Sequence, residues 1–238
     1  AIVPDIEMSQ ETNTSYPPKL SELGLDLLHL TKWQITRAIA LPFVAFVAFW
    51  ILAGFGYWVL AVLSLMVLSF VTYGSTSHDL VHRNLGLKPL TNNILLAVIE
   101  AMSLRSGHAY QLSHLHHHVR FPHEDDIEAD AARMPFSRAL LEGVVFQFRI
   151  YAWALRNPDG QWNWIVGEGI AVLVIFVGAI VAVPYTIVPG VYVGLMIAGS
   201  WIIPLMTSYL PHDSEASEVL HQTRLYRGVI ARLLLFDH

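Results

Sequence analysis

The stretch AIALPFVAFVAFWILAGFGYWVLAVLSLMVLSFV, Ala38–Val71, contains no charged side chain and is interrupted by two glycines, Gly54 and Gly56. About 20 apolar residues suffice to cross the hydrocarbon core of a bilayer as a helix. The tract therefore predicts a helical hairpin with spans at 34–53 and 57–77. A second apolar tract, Trp164 to Leu210, breaks at VPYTIVPG (Val183–Gly190) and predicts a second hairpin with spans at 164–184 and 190–210.

The composition agrees with a membrane protein. Hydrophobic residues make up 54% of the chain and charged residues 14%, whereas soluble domains carry about 25% charged residues. We therefore predict an all-α integral membrane protein with four transmembrane helices. The net charge of -5 argues against a nucleic-acid partner. The lack of cysteine excludes Cys-ligated zinc and iron–sulfur clusters.

The positions of the basic residues predict the orientation. All fourteen Lys and Arg lie outside the two short turns that join the paired spans. Because basic residues accumulate on the cytoplasmic side, both termini, the loop 78–163 and the tail 211–238 are predicted to be cytoplasmic. The loop would then form a histidine-rich helical cap over the spans.

Two further segments are predicted to lie at the membrane surface. Residues 1–33 form a polar N-terminal segment that ends in an amphipathic stretch, Leu20–Trp33. Leu90–Ser106 is apolar but short and contains Glu100, which predicts a re-entrant or interfacial helix. Glu168, the one charge of the second apolar tract, is either interfacial or functional.

The histidines have spacings that place them on common helix faces. His78 and His82 in HDLVH are four residues apart and share a face. In HLHHH, three of the four histidines share a face, and His116 points elsewhere. Together with His212 after the fourth span and His238 at the end of the sequence, these residues predict a single layer of histidines at the membrane surface. The candidate metal ligands are His78, His82, His114, His117, His118, His212 and His238.

The number of histidines indicates more than one metal ion. Imidazole suits zinc, copper, iron or nickel, and six or more histidines exceed one tetrahedral zinc site. Two ions are the economical interpretation, and a lipid substrate favours oxygen-activating iron. HDLVH also resembles the zinc-protease pattern HExxH with Asp in place of Glu, but such a site would not use the other histidines.

Other polar residues near the histidines have weaker interpretations. His29, His108 and His123 are expected to be interfacial or surface residues, and HEDDIEAD (His123–Asp130) is expected to be a solvated face. Carboxylates often fix the orientation of ligating imidazoles. The candidates for that role are Asp79, Asp213, Glu124, Asp125 and Asp126.

HDLVH, HLHHH and the four-span layout resemble the membrane fatty acid desaturase superfamily, which are di-iron oxidases with histidine boxes. The resemblance covers residues 34 to 238. Within the superfamily, YLPHD (Tyr209–Asp213) and HQTRLYRG (His221–Gly228) are most similar to the carotenoid branch, the β-carotene hydroxylases and ketolases.

The resemblance implies specific ligands. The first box falls on His78 and His82, the second on His114, His117 and His118, and the isolated histidine on His212. Ser208 stands where desaturases often have an asparagine that holds a water on iron. A third HxxHH box is expected immediately after LLLFDH, which ends at His238. Either the natural chain continues, which a sequence stopping in mid-motif favours, or several ligands are missing.

The resemblance also implies a reaction. Two iron ions would use O2 and electrons from a donor such as a ferredoxin to oxidise C–H bonds of a lipophilic substrate. A carotenoid is the first expectation for that substrate, and an acyl lipid is the alternative. A third hypothesis is a non-catalytic pigment- or lipid-binding subunit of a membrane complex. Arg224, Arg227 and Arg232 could attract an acidic donor or could be ordinary cytoplasmic charges.

Overall fold

The computed structural model describes residues 29–212, so the amphipathic stretch before His29, Asp213, the basic tail residues and His238 lie outside the described residues. Within the described part the chain is helical, with no β-strand. Its seven helices are α1 (Lys32–Gly54), α2 (Trp58–Val81), α3 (Pro89–Met102), α4 (Gly107–Arg120), α5 (Phe136–Arg156), α6 (Trp162–Ala182) and α7 (Val188–Tyr209). A short 3-10 turn, Ala129–Arg133, lies between α4 and α5.

Four of these helices, α1, α2, α6 and α7, are long and apolar enough to cross a membrane. The predicted all-α membrane architecture with four spanning helices is therefore confirmed. Short turns join α1 to α2 and α6 to α7, which gives two hairpins. The end of α2 differs from the sequence prediction, since it continues to Val81 and carries His78 inside the helix.

Local sequence explains where the first hairpin begins and turns. Thr31 caps α1, because its hydroxyl accepts a hydrogen bond from the Gln34 amide and the Gln34 side chain accepts one from the Thr31 amide. After α1 the backbone reverses at Gly56, whose φ of 81° lies in the region that glycine adopts without strain.

Helices α2 and α7 both widen into π turns near histidines. The π turns of α2 are Val67–Val71 and Tyr73–Ser77, and the π turn of α7 is Leu205–Tyr209. Hydroxyl groups assist, since Ser75 Oγ donates to the Val71 carbonyl at 2.6 Å and Thr207 Oγ donates to the Ile203 carbonyl at 2.9 Å. π turns are frequent at functional sites, and these ones directly precede His78 and shortly precede His212.

Helix α3 does not cross the membrane, as the sequence predicts. Its 14 residues are about 21 Å long, which is less than the hydrocarbon thickness. It carries the fully buried Glu100, which pairs with Arg105 at 2.6 Å and accepts a hydrogen bond from Ser77 Oγ at 2.5 Å. Because Ser77 directly precedes His78, this contact fixes the end of α2 against α3.

Two apolar cores hold the helices together. One joins the four spanning helices and includes Phe49, Leu68 and Tyr192. The other lies beside the histidines, contains buried residues of every helix from α2 to α7 and includes Leu96 and Phe146. Helix α4, which carries the second histidine motif, therefore sits on a packed base.

Candidate metal centre

The end of α2 and the second half of α4 bring four histidines together. His78 lies in the last turn of α2 and His82 directly follows that helix, with ring centroids 4.5 Å apart. His114 and His118 follow each other on one face of α4, with ring centroids 4.6 Å apart. One ligand atom from each of the four residues lies within 4.8 Å of the others. We call these four residues the first histidine group.

The first histidine group has the donor set that a transition-metal ion requires. His114 Nε2 and His118 Nε2 lie 3.0 Å apart. His82 Nε2 is buried and has no hydrogen-bond partner among residues 29–212. Because leaving such a nitrogen unpaired is costly, a metal ion shared by these imidazoles fits the site.

A second pair of histidines adjoins the first group. His117 of α4 and His212, just after α7, place their Nε2 atoms 3.2 Å apart, although they are 95 positions apart in sequence. The His117 ring centroid is 5.9 Å from that of His114. We call His117 and His212 the second histidine group. The chain thus offers two neighbouring sets of imidazole nitrogens.

Carboxylates and a carbonyl orient the imidazoles from behind. Glu128 Oε1 lies 2.8 Å from His114 Nδ1, and Asp126 Oδ2 lies 2.7 Å from His117 Nδ1. The Ser208 carbonyl lies 3.1 Å from His212 Nδ1. Holding Nδ1 in this way leaves Nε2 as the atom directed at a metal and makes the imidazole a better ligand.

Electrostatics favour the neutral imidazole at His118 and His212. Burial, together with the neighbouring His114, lowers the pKa of His118 to about 4. Burial and the nearby His117 lower the pKa of His212 to about 4. At His117, burial acts to lower the pKa, but the hydrogen bond to Asp126 and the charge of Glu128 raise that pKa above its usual value. Burial would raise the pKa of Glu128, but its ionic contact and hydrogen bond with His114 dominate and lower that pKa to about 2. Glu128 is therefore a buried carboxylate held ionised by the histidines.

The remaining residues that the sequence singles out have varied positions. Asp126 contacts His117, but Asp79 bonds to Asn84 at 3.3 Å, and Asp125 pairs with Arg120 at 2.9 Å. Glu124 and His123 are exposed. His116 points away from both groups, as expected, and its ring lies against Trp153 at 5.0 Å. The Ser208 hydroxyl is buried without a hydrogen-bond partner in the described chain.

The expectation of a solvated acidic face is right for Glu124 and Asp125 and wrong for Asp126 and Glu128. Asp126 is fully buried, and Glu128 is 3% exposed. Both turn inward because their carboxylates accept from histidine nitrogens, and Asp126 also accepts from the Glu128 and Ala129 amides at 3.1 and 3.2 Å. Sequence analysis missed Glu128, since an acidic run gives no sign of which members are buried.

His108 is also more buried than the sequence predicts. It is 0% exposed, and its Nδ1 lies 2.6 Å from Glu168 Oε1 of α6. The second oxygen of Glu168 accepts from Ser106 Oγ at 2.5 Å and from the His108 amide at 3.2 Å. Glu168 therefore caps the start of α4, where a carboxylate interacts favourably with the helix dipole. The one charge of the second apolar tract fixes the ligand-bearing helix to a membrane span.

Comparison with known proteins places this geometry in context. The family model described as fatty acid desaturase matches residues 55–238, which include both histidine groups. No curated protein and no solved structure matches the chain.

Proposed function

Because the chain belongs to the fatty acid desaturase family, we propose that it is a membrane-bound di-iron oxidase that uses O2 to oxidise C–H bonds of a lipophilic substrate. The observation that supports this most is the pair of adjoining histidine groups, with imidazoles oriented by buried carboxylates. Desaturase-family membership by itself implies an oxidoreductase.

Each histidine group would hold one iron. His78, His82, His114 and His118 supply imidazoles for the first ion. His117 and His212 supply them for the second, to which His238 would also contribute. When bound, the two irons would supply O2 binding and the transfer of electrons received from an external donor such as a ferredoxin. The chain itself disfavours protonation of His118 and His212, fixes the tautomers of His114 and His117 through Glu128 and Asp126, and holds α4 beside the spans.

We also propose an orientation for the site. Both termini and the histidine groups are cytoplasmic in this proposal, because the short turns after α1 and α6 contain no Lys or Arg. A soluble electron donor would then reach the histidine side directly from the cytoplasm.

The metal assignment predicts a measurable iron content. The chain, expressed through its natural reading frame and purified in detergent, is expected to contain about two irons, one for each histidine group, by mass spectrometry. His82→Ala should lose about one of the two irons, because it removes one imidazole from the first group and leaves the second group intact. The matched control is His123→Ala, which changes an exposed histidine and should retain the metal. Zinc in place of iron would contradict the proposal.

We propose a carotenoid as the substrate. The support is the similarity of YLPHD and HQTRLYRG to the carotenoid branch of the superfamily. Cells that make β-carotene and express the chain should accumulate hydroxylated or ketolated rings, separated by chromatography. The same cells with the His82→Ala variant should contain β-carotene alone, which ties any new pigment to the metal site.

An acyl lipid is the second candidate substrate, and the description of the matching family favours it. Fatty acid methyl esters from the same cultures distinguish the two. New double bonds in membrane lipids, with unchanged pigments, would show that the substrate is an acyl chain. If neither pigments nor lipids change in a chain that holds two irons, both substrate assignments are wrong.

A further inference from the structure

Helix α5 has two apolar faces, although it connects the histidine cap to the spanning bundle. Its inner face is buried against the protein and consists of Ala139, Gly143, Phe146, Ile150 and Ala154. Its outer face carries Leu141, Val144, Val145 and Phe148, which are exposed and follow the i, i+3, i+4, i+7 spacing of one helix face. We call these four residues the outer stripe.

The outer stripe is too apolar for a face in water. Phe148 is 78% exposed and Leu141 is 64% exposed. A helix on the water side of a protein has one apolar face, directed at the core, and a polar face opposite. Contiguous exposed apolar side chains indicate a contact with a membrane or another protein.

The charges of α5 lie beside the outer stripe, on the flank that faces the cap. Arg149 pairs with Glu142 at 3.0 Å and also pairs with Asp130 of the 3-10 turn. Arg149 further donates to the Ile127 carbonyl at 2.9 Å. The helix thus directs its central charges toward the cap and presents hydrocarbon on the outer side.

Contacts with both hairpin helices give the depth of α5. Its Tyr151 hydroxyl donates to the Ile165 carbonyl at 3.1 Å and occupies the space beside Gly169. Gly169 lies two turns beyond the start of α6 at Trp162, which is about 10 Å along the axis at 1.5 Å per residue. Since α6 is about as long as the hydrocarbon core is thick, this contact lies inside the span and below its end.

The contact with α7 gives the same depth independently. Trp201 donates its indole N–H to the Leu140 carbonyl, and its backbone packs directly on Gly143. Trp201 lies two turns before the end of the fourth span at Tyr209, about 12 Å along the axis. Two separate spans therefore hold α5 at a level where the surroundings are acyl chains.

We propose that α5 is an in-plane membrane helix whose outer stripe lies among the acyl chains of the leaflet on the histidine side. The occupant of this surface is lipid, because α5 contacts α6 at Gly169 and α7 at Trp201, and the residues next to these contacts, Ile170 and Ile202, are themselves exposed and apolar. Amphipathic helices of this kind bury their apolar face about 5–10 Å into the boundary between headgroups and acyl chains. The proposal depends on the four spans and not on the metal or the substrate.

The chain contains no cysteine, so single cysteines can carry a nitroxide label at chosen positions. Val144→Cys, Val145→Cys and Phe148→Cys would be labelled separately in the full chain and reconstituted into phosphatidylcholine liposomes. Collisions with O2, which concentrates in hydrocarbon, and with a water-soluble nickel complex are measured by electron paramagnetic resonance. Ile170→Cys, exposed on α6 beside the Gly169 contact, is the lipid control at matched depth, and Glu124→Cys, on the cap, is the water control.

The three stripe positions should match Ile170, with frequent O2 collisions and several-fold fewer nickel collisions than at Glu124. Nickel collisions equal to those at Glu124 would place the stripe in water and overturn the proposal. Few collisions with either reagent would show that protein covers the stripe, either another segment of this chain or a partner, and would also overturn it. If one labelled variant aggregates, the collision rates at the other two positions decide the outcome, since all three positions lie on one face.

Discussion

At the residue scale, the acids behind the histidines distinguish this site from a chance cluster of imidazoles. Glu128 and Asp126 each bond to the Nδ1 atom of one histidine, and both are buried. A buried carboxylate is costly unless it is paired, and here the partners are residues that would bind metal. The acids therefore serve the histidines rather than the surface.

Glu128→Gln is predicted to weaken iron binding by about 10–100-fold, the usual effect of removing a carboxylate behind a ligating histidine. The amide cannot carry the negative charge that holds His114 in its orientation. Titration of bound iron against a competing chelator measures the change. Glu124→Gln is the matched control, because it changes an exposed acid of the same run and should leave iron affinity unchanged. If Glu128→Gln binds iron as tightly as Glu124→Gln does, Glu128 does not support the metal site.

At the element scale, the helices of the cap are fixed to the spans by a few polar or close contacts. Glu168 bonds to the first turn of α4, and Glu100 of α3 bonds to Ser77 at the end of α2. Gly143 of α5 packs directly on the backbone of Trp201. The histidine-bearing segments are thus positioned relative to the membrane by contacts outside the metal site.

Gly143→Ala is predicted to lower the free energy of unfolding by about 1–3 kcal/mol, the range for overpacking a tight contact. A Cβ at this position would overlap the Trp201 carbonyl, and backbone has little room to move. Thermal unfolding in detergent, followed by circular dichroism, measures the loss. Gly167→Ala in α6 is the control, since a Cβ there meets nothing within 4 Å. Its stability should be unchanged or slightly higher, because alanine favours a helix. An unaltered melting curve for Gly143→Ala would argue against the close packing of α5 on α7.

At the scale of the whole molecule, the apolar core beside the histidines contains buried residues of the cap helices and of three spans, α2, α6 and α7. The two histidine groups draw on the end of α2, on α4 and on the end of α7, so the two metal ions together would join segments from both hairpins through α4. Metal binding and the stability of the whole chain are therefore expected to be coupled.

Removal of iron by a chelator is predicted to lower the melting temperature of the purified chain. A ligand that binds only the folded state stabilises it by about 2.7 kcal/mol when its free concentration is 100 times its Kd. The comparison is between iron-loaded and chelated samples in the same detergent. In the His82→Ala variant, chelator should lower the melting temperature by less, because only the second histidine group still holds an ion. If chelator does not change the melting temperature of the unaltered chain, bound metal does not hold the segments together.

The spans could be predicted from apolar length, and the shared helix faces of the histidines from their spacing. Apolar length identifies a membrane helix, and spacings of three or four residues place His114, His117 and His118 on neighbouring positions of one helix. The sequence carries no comparable sign for Glu128 or His108, whose partners depend on how separate helices pack. His108 and Glu168 are 60 residues apart, and nothing local to either one indicates the other.

The sequence does not identify α5 as an amphipathic helix, because its two apolar faces leave no regular alternation with polar residues. The π turns of α2 and α7 were also beyond the sequence analysis. Hydroxyl groups donate to backbone carbonyls in these segments, but serine and threonine make the same bonds in ordinary helices.

The positions of the ligands along the chain also determine the order in which the two metal sites can form during synthesis. Every member of the first histidine group has been made once the ribosome has passed His118. His117 has to wait for His212, which is 95 positions further on, and for the second hairpin to insert. A long intervening loop adds an entropic cost to that late closure. We therefore expect the two metal ions to be acquired in sequence, the first by a half-made chain and the second only by a finished one. Metal uptake by ribosome-stalled chains of increasing length would record two separate steps.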